Sequence, residues 1–405
     1  MFKGRLREIA AALVTFCMTT SMFVGNTFAV SPSWFSDIDS SPAKEALTKA
    51  VDNGLLFGNN GKIRPDDPLL RAQMAAIINR AFGATEKTDI SKFKDVPAKK
   101  WYVNDLEKAV KMGTFEGSGT NLAPEKTISR QDTFVVLARA FKLTITDLSS
   151  LDELADKEQI STYARSAIAA LYSGGYIAAA KGKINPRADI TRAEFATAMD
   201  KLVSVYIGEA GTYTTLAKGN VLINKADVVL KNVTVAGDLI IGEGVGKGDV
   251  TLDGARVLGR TIVRGGGDNS IHVINGASIT GKVIIDNVNN QVRIVTGKGT
   301  TIQNIEAGSQ VVLEGSFGEV SVVGNSNSVE VKGHVRTLTV ESKAEVTLTS
   351  GTVGTVSVAA DATDARVNVA GAEVTTLEVA AKADVQVTKG KVTKVEIEKT
   401  AANTT

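Results

Sequence analysis

Pro-Arg-Ala-Asp-Ile-Thr-Arg-Ala-Glu-Phe, residues 186–195, reads as a loop running into the start of a helix. Thr191 has the hydroxyl that caps free first-turn amides, and Glu194 can reach back to the cap, which makes a capping box. Seventeen residues before Arg192 stands Gly175, and six before it Pro186. The same register occurs twice upstream, as Gly54/Pro65/Arg71 and Gly113/Pro124/Arg130. Twelve residues before each glycine comes Pro42, Trp101 or Tyr163. A register kept through three copies marks a tandem repeat of about 60 residues.

Each copy opens with an apolar-x-Asp element: Phe35-Ser36-Asp37, Phe93-Lys94-Asp95 and Leu154-Ala155-Asp156. An amphipathic helix is predicted next, as over 43–53, where Ala46, Leu47, Ala50 and Val51 fall at helical spacing. Gly54, Gly113 and Gly175 end these helices, where positive φ is required. The second helix of each copy begins beside the arginine. A cation there opposes the helix dipole, so Arg71, Arg130 and Arg192 need another reason. Two stay open: an inter-module salt bridge, or a fork that takes a carboxylate or phosphate in bidentate fashion. Each Asp is either a helix cap or a hydrogen-bond acceptor for a ligand. Each aromatic is either core or a face for a sugar ring.

Phe-x-Asp, the aromatic, the glycine, the proline loop and Ile190-Thr191-Arg192-Ala193-Glu194-Phe195 together resemble the S-layer homology (SLH) family, across residues 34 to 206. The resemblance implies three modules (30–86, 87–148 and 149–210) in a pseudo-threefold helical trimer. Its inter-module grooves would bind secondary cell-wall polymer bearing pyruvate ketals on amino sugars. The candidate polymer-binding residues carried over are Arg71, Arg130, Arg192, Asp37, Asp95, Asp156, Trp101 and Tyr163, with Gly54, Gly113 and Gly175 in the same set. Copy one departs at Pro42 and at Leu70-Arg71-Ala72-Gln73, which lacks both cap hydroxyl and glutamate. The groove depending most on Pro42 and Gln73 is therefore expected to be the weak one.

Composition shifts after Tyr206. No proline follows Pro186, and the only aromatics beyond residue 211 are Tyr213 and Phe317. Val- and Thr-rich alternation, broken by glycine turns, recurs in coils of roughly 17 to 22 residues, with nine coils expected. A right-handed parallel β-helix over 211–398 is predicted, with a β-sandwich as the alternative and 399–405 as a disordered tail. By pattern it is similar to bactofilin-like and other Gly/Val-rich β-helices. The chain as a whole is thus a multidomain α plus β protein.

Catalysis on such a solenoid needs grouped acids or a metal beside an aromatic-lined cleft. The candidates, Asp253, His272 and Asp286, are scattered among positions that read as a solvated face. Gly265-Gly266-Gly267-Asp268-Asn269 reads as a turn, since no helix follows to receive a phosphate. No cofactor, metal or catalytic residue is expected, although Asp66-Asp67 or Asp268 could contribute to a calcium site.

Residues 1–29 read as a secretory signal, with Lys3, Arg5 and Arg7, an apolar stretch, and Thr27-Phe28-Ala29 at the cleavage positions. Cys17 is the single cysteine, so a cleaved protein has no disulfide. The formal charge of +2 over 405 residues falls close to neutral without the leader, which argues against nucleic acid or anionic membrane as partner. The expected protein is a secreted, non-catalytic, S-layer-type envelope protein. Its modules would hold wall polymer, and its solenoid would act as spacer or assembly element with some self-association. The alternative is a surface adhesin or polysaccharide-acting enzyme on the same anchor.

Overall fold

A computed structural model describes residues 31–325 and 327–401; the leader expected at 1–29 lies outside them. The chain divides at Val203/Ser204 into two compact units.

Among its described residues the first unit carries six α-helices: α1 (Lys44–Asp52), α2 (Arg71–Phe82), α3 (Val103–Lys111), α4 (Arg130–Ala140), α5 (Arg165–Ser173) and α6 (Arg192–Leu202). Each copy of the repeat supplies a pair. The pairs do not close on themselves: α2 packs on α3, α4 on α5, and α6 returns to α1. At the centre, the Leu69 amide donates to the Ile190 carbonyl (3.0 Å), Ile190 to Ile128 (3.1 Å) and Ile128 to Leu69 (2.9 Å). All three side chains are buried. Three β-type residues thus pair in a closed ring, which gives the unit its threefold character.

The spacing of proline and arginine follows from this ring. Helix starts leave first-turn amides without intrahelical partners. Ala72 N–H donates to the Pro124 carbonyl at 3.0 Å, Gln131 to Pro186 at 2.9 Å and Ala193 to Pro65 at 2.9 Å. Every proline loop therefore caps a helix of a neighbouring module. Local caps add to this: Thr191 and Glu194 form the expected box on α6, and Ser129 accepts from Asp132 on α4. The first copy keeps half of one, because the Gln73 side-chain oxygen accepts from the Leu70 amide at 3.0 Å.

The second unit is a parallel β-solenoid of about 11 turns. One face stacks 205–207, 221–223, 239–241, 261–263 and 283–285 in register. A second stacks 211–213, 228–231, 250–253 and 272–274. A short third face joins 234–235, 256–257 and 278–279. From Val311 the faces merge into long bent strands, 311–322, 327–340 and 344–358. Every strand pairing among the described residues is parallel, which rules out the antiparallel pairing of a β-sandwich.

Alternation puts Val311, Leu313, Phe317, Val320 and Val322 inside, directly over Val329, Val331, Val335, Leu338 and Val340 of the next turn. The first rung is Val205–Ile207, ahead of the expected start at 211, and this adds to the nine coils read from sequence. At the other end, residues 399–401 form a short 3-10 turn, and Ala401 is buried in the solenoid core.

Candidate functional site

The three aspartates share one role. Asp37 accepts from the amides of Ile63 (2.8 Å) and Arg64 (2.9 Å). Asp95 accepts from Leu122 (2.9 Å) and Ala123 (2.7 Å), and Asp156 from Ile184 (3.1 Å) and Asn185 (2.7 Å). None of them caps an α-helix. The second donor of each pair, Arg64, Ala123 or Asn185, has φ between 52° and 56°. The carboxylate thus clamps a left-handed turn that a non-glycine residue adopts only under constraint.

The arginines meet those same turns from the neighbouring module. Arg71 Nε donates to the Leu122 carbonyl, Arg130 Nε to Ile184 and Arg192 Nε to Ile63, each at 2.7 Å. One residue of each loop is therefore held twice, its amide by an aspartate and its carbonyl by an arginine. Gly54, Gly113 and Gly175 have φ of 66°, 73° and 72°, and a Cβ added at any of them would meet open space. Their place in the structure is as helix-ending turns.

Beyond the Nε bond, two of the guanidinia meet the residue two positions after the next module's own arginine. Arg71 lies 3.7 Å from Asp132, and Arg130 lies 2.6 Å from Glu194. The Tyr163 hydroxyl, from the third module, donates to Asp132 at 2.6 Å. Burial of that hydroxyl end and its bond to Asp132 push the Tyr163 pKa up to about 12. The ring itself is 60% exposed and Trp101 is 55% exposed, so neither is core.

One set of contacts therefore draws a residue from every module: Arg71, Asp132 and Tyr163. The equivalent positions of the repeat are Arg130, Glu194 and Pro42, of which the first two are in contact, and Arg192, Gln73 and Trp101. Sequence inspection missed Glu116, Phe57 and Arg80 at the groove edges. Arg71 also donates to the Glu116 carbonyl (3.4 Å), and Arg192 donates to that of Phe57 (2.7 Å). The Glu116 side chain pairs with Arg139 at 2.7 Å, whereas Phe57 lies under the Arg80 guanidinium at 4.8 Å.

On the solenoid, Asp253, His272 and Asp286 are not brought together as a group. Asp253 accepts from Asn275 at 2.7 Å, the His272 ring pairs with the Asn269 carbonyl, and Asp286 pairs with buried Arg264 at 2.9 Å. Gly265 lies against the Gly242 carbonyl of the turn below, which makes 265–267 part of a solenoid corner. Among the described residues, no group of three or more His, Cys, Asp or Glu is placed to hold a metal ion.

The S-layer homology domain model matches residues 35–75, 92–134 and 154–196. The surface-layer 125 kDa protein of Lysinibacillus sphaericus is 33% identical over 203 residues, covering 49% of this chain and 17% of that protein. Amylopullulanase of Thermoanaerobacterium thermosulfurigenes is 27% identical over 167 residues, 40% of this chain and 9% of its own length. A cell surface protein of Thermoanaerobacter kivui is 31% identical over 121 residues, 28% of this chain and 16% of that one. The chain thus spans less than a fifth of each of these relatives. Residues 35–196 are three tandem S-layer homology domains, and the chain that carries them is a cell-wall- or surface-associated protein.

Proposed function

We propose that this protein is a non-catalytic envelope component whose three modules hold an acidic secondary cell-wall polysaccharide, while the solenoid serves as a structural and assembly element. The reading is carried by one observation: each of the three arginines reaches a turn of the neighbouring module, Tyr163 bonds to the Asp132 that Arg71 meets, and both Tyr163 and its repeat equivalent Trp101 are exposed. A guanidinium fork suits a sugar carboxylate, such as a pyruvate ketal, and an exposed ring offers an apolar face to the sugar. Several weak grooves along one polymer gain from effective concentration. The non-catalytic part rests on the solenoid's charges, which are paired from turn to turn, as in Arg260–Asp238 (2.6 Å), Lys282–Glu306 (2.8 Å) and Arg293–Glu314 (2.8 Å).

Self-association belongs to the same proposal. The last described turn, Lys391–Ile397, pairs on one side only, and Val395 and Ile397 are more than half exposed. Co-sedimentation of the chain with purified sacculi, before and after chemical stripping of the polymer, tests the anchor. Binding to intact walls that disappears on stripping is expected. Binding that survives stripping would assign the arginines to the fold alone.

A further inference from the structure

One corner of the later solenoid turns is hollowed into a trough. It crosses five successive turns and has a volume of 610 Å³. Val311, Val329, Val346, Val367 and Val385 stack there in register, facing the core. The residue before each valine therefore faces outward, and Gln310, Ser328, Glu345, Arg366 and Asp384 form one wall. Small buried residues, Ala344, Ala365 and Ala383, line the trough beside them, so nothing bulky rises from its floor. The opposite wall comes from the corner loops and carries Lys343, Asp364 and Lys382. Asp364 sits in a left-handed turn at φ 62°, and its amide donates to the Lys382 carbonyl of the next turn at 2.8 Å.

The two walls use their charges differently. Along the loop wall the charges are paired, with Asp364 lying 3.9 Å from Lys343 and 3.4 Å from Lys382. On the strand wall, Glu345, Arg366 and Asp384 follow one another in register. Glu345 and Arg366 are exposed, and among the described residues neither side chain is in an ion pair. The Asp384 carboxylate accepts from Gln386 at 3.3 Å. Three carboxylates (Glu345, Asp364, Asp384) balance three cations (Lys343, Arg366, Lys382), so the lining has no net charge.

This lining discriminates among polymers. A polyanion gains at the cations and loses at the carboxylates. An apolar ligand meets no aromatic or branched aliphatic side chain. An extended peptide advances about 3.3 Å per residue, out of step with turns about 4.8 Å apart. A hydroxyl both donates and accepts, so it can serve acceptor-only carboxylates and donor-only guanidinium or ammonium groups in turn. Bonds of that charge-assisted kind are the strong ones. The advance per ring of a linear glycan is close to the spacing of one turn. We propose that the trough binds a linear, uncharged glycan lying along the solenoid axis, one sugar per turn, with Glu345, Arg366 and Asp384 as its hydrogen-bonding groups. Five turns span about 19 Å between the outermost strands, which sets the site at four to five sugars. The inference gives the solenoid a ligand of its own and does not depend on the helical unit as anchor.

The test is calorimetric titration of the full chain with three neutral pentasaccharides: chitopentaose, cellopentaose and xylopentaose. At least one should bind, and its affinity should rise from the disaccharide to the pentasaccharide. Arg366→Ala removes the central donor from an exposed position, so the melting temperature should hold. Its affinity should fall about tenfold or more, the worth of one lost charge-assisted hydrogen bond. Lys298→Ala, an exposed cation outside the trough, should change nothing. Pentagalacturonate, of the same length but acidic, should bind more weakly than the best neutral sugar. No binding by any neutral pentasaccharide at millimolar concentration would overturn the proposal. So would unaltered affinity in Arg366→Ala, which would place the sugar elsewhere on the chain. Tighter binding of pentagalacturonate would overturn the uncharged class, and equal affinity for disaccharide and pentasaccharide would overturn the lengthwise placement. None of these outcomes bears on co-sedimentation with sacculi, so this site and the anchor fail separately.

Discussion

Asp156 is 4% exposed and holds two amides of a left-handed turn. An alanine there would leave both donors without their partner, in a turn whose Asn185 has φ near 52°. An unsatisfied buried group costs about 1–3 kcal/mol, so Asp156→Ala should destabilise the helical unit by about 3 kcal/mol. Asp37→Ala, at a half-exposed position where water can replace the carboxylate, should cost clearly less. Urea midpoints of the two variants decide it; equal, small losses would mean the turns are held by the arginines instead. The apolar-x-Asp element is visible in the sequence. Its bonds are not, because the amides it holds lie 26 to 29 residues downstream.

At the level of elements, the helical repeat was legible because its markers are backbone-defining residues: a glycine ending one helix, a capping box beginning the next. What they build was hidden, since each proline carbonyl and each arginine finds its partner in another module, and no spacing within one copy reveals that. The solenoid shows the converse. Alternation exposed its strands, but the glycine column Gly315–Gly333–Gly351 emerges only on stacking. A Cβ on Gly351, at φ 91°, would run into the Gly333 carbonyl oxygen. That neighbour is backbone of the next rung and cannot move without breaking the ladder. Gly351→Ala therefore combines a disfavoured dihedral with overpacking, each worth about 1–3 kcal/mol. A loss of about 3 kcal/mol or more in solenoid stability is expected by denaturant titration. A midpoint shifted by less than a few tenths of a molar in urea would mean that the column can open at this corner.

For the molecule as a whole, the contrast between the two units lies in how each deals with its boundaries. Among the described residues, the helical unit closes its three copies on one another by the Leu69–Ile190–Ile128 hydrogen-bond ring. The solenoid stacks, and a stack ends in unpaired strands that can template further pairing. In the last described turn, 383–387 and 391–397 each pair with one neighbour only. Val387, Val395 and Ile397 are half exposed or more, which supplies an apolar incentive for a second copy to dock. Lys391 and Lys394 stand on the same rung, and Lys394 pairs with Glu396. Charge on an edge is the usual brake on such pairing, so the association should be weak and concentration-dependent. Sedimentation velocity across a wide concentration range should show a reversible monomer–dimer shift. The double variant Val395→Lys, Ile397→Lys should remove it without loss of wall binding, because those residues belong to the solenoid and not to the ring. A parent chain that stays monomeric at the highest concentration would remove this edge as an assembly surface. An association that survives the double variant would place the contact elsewhere on the molecule.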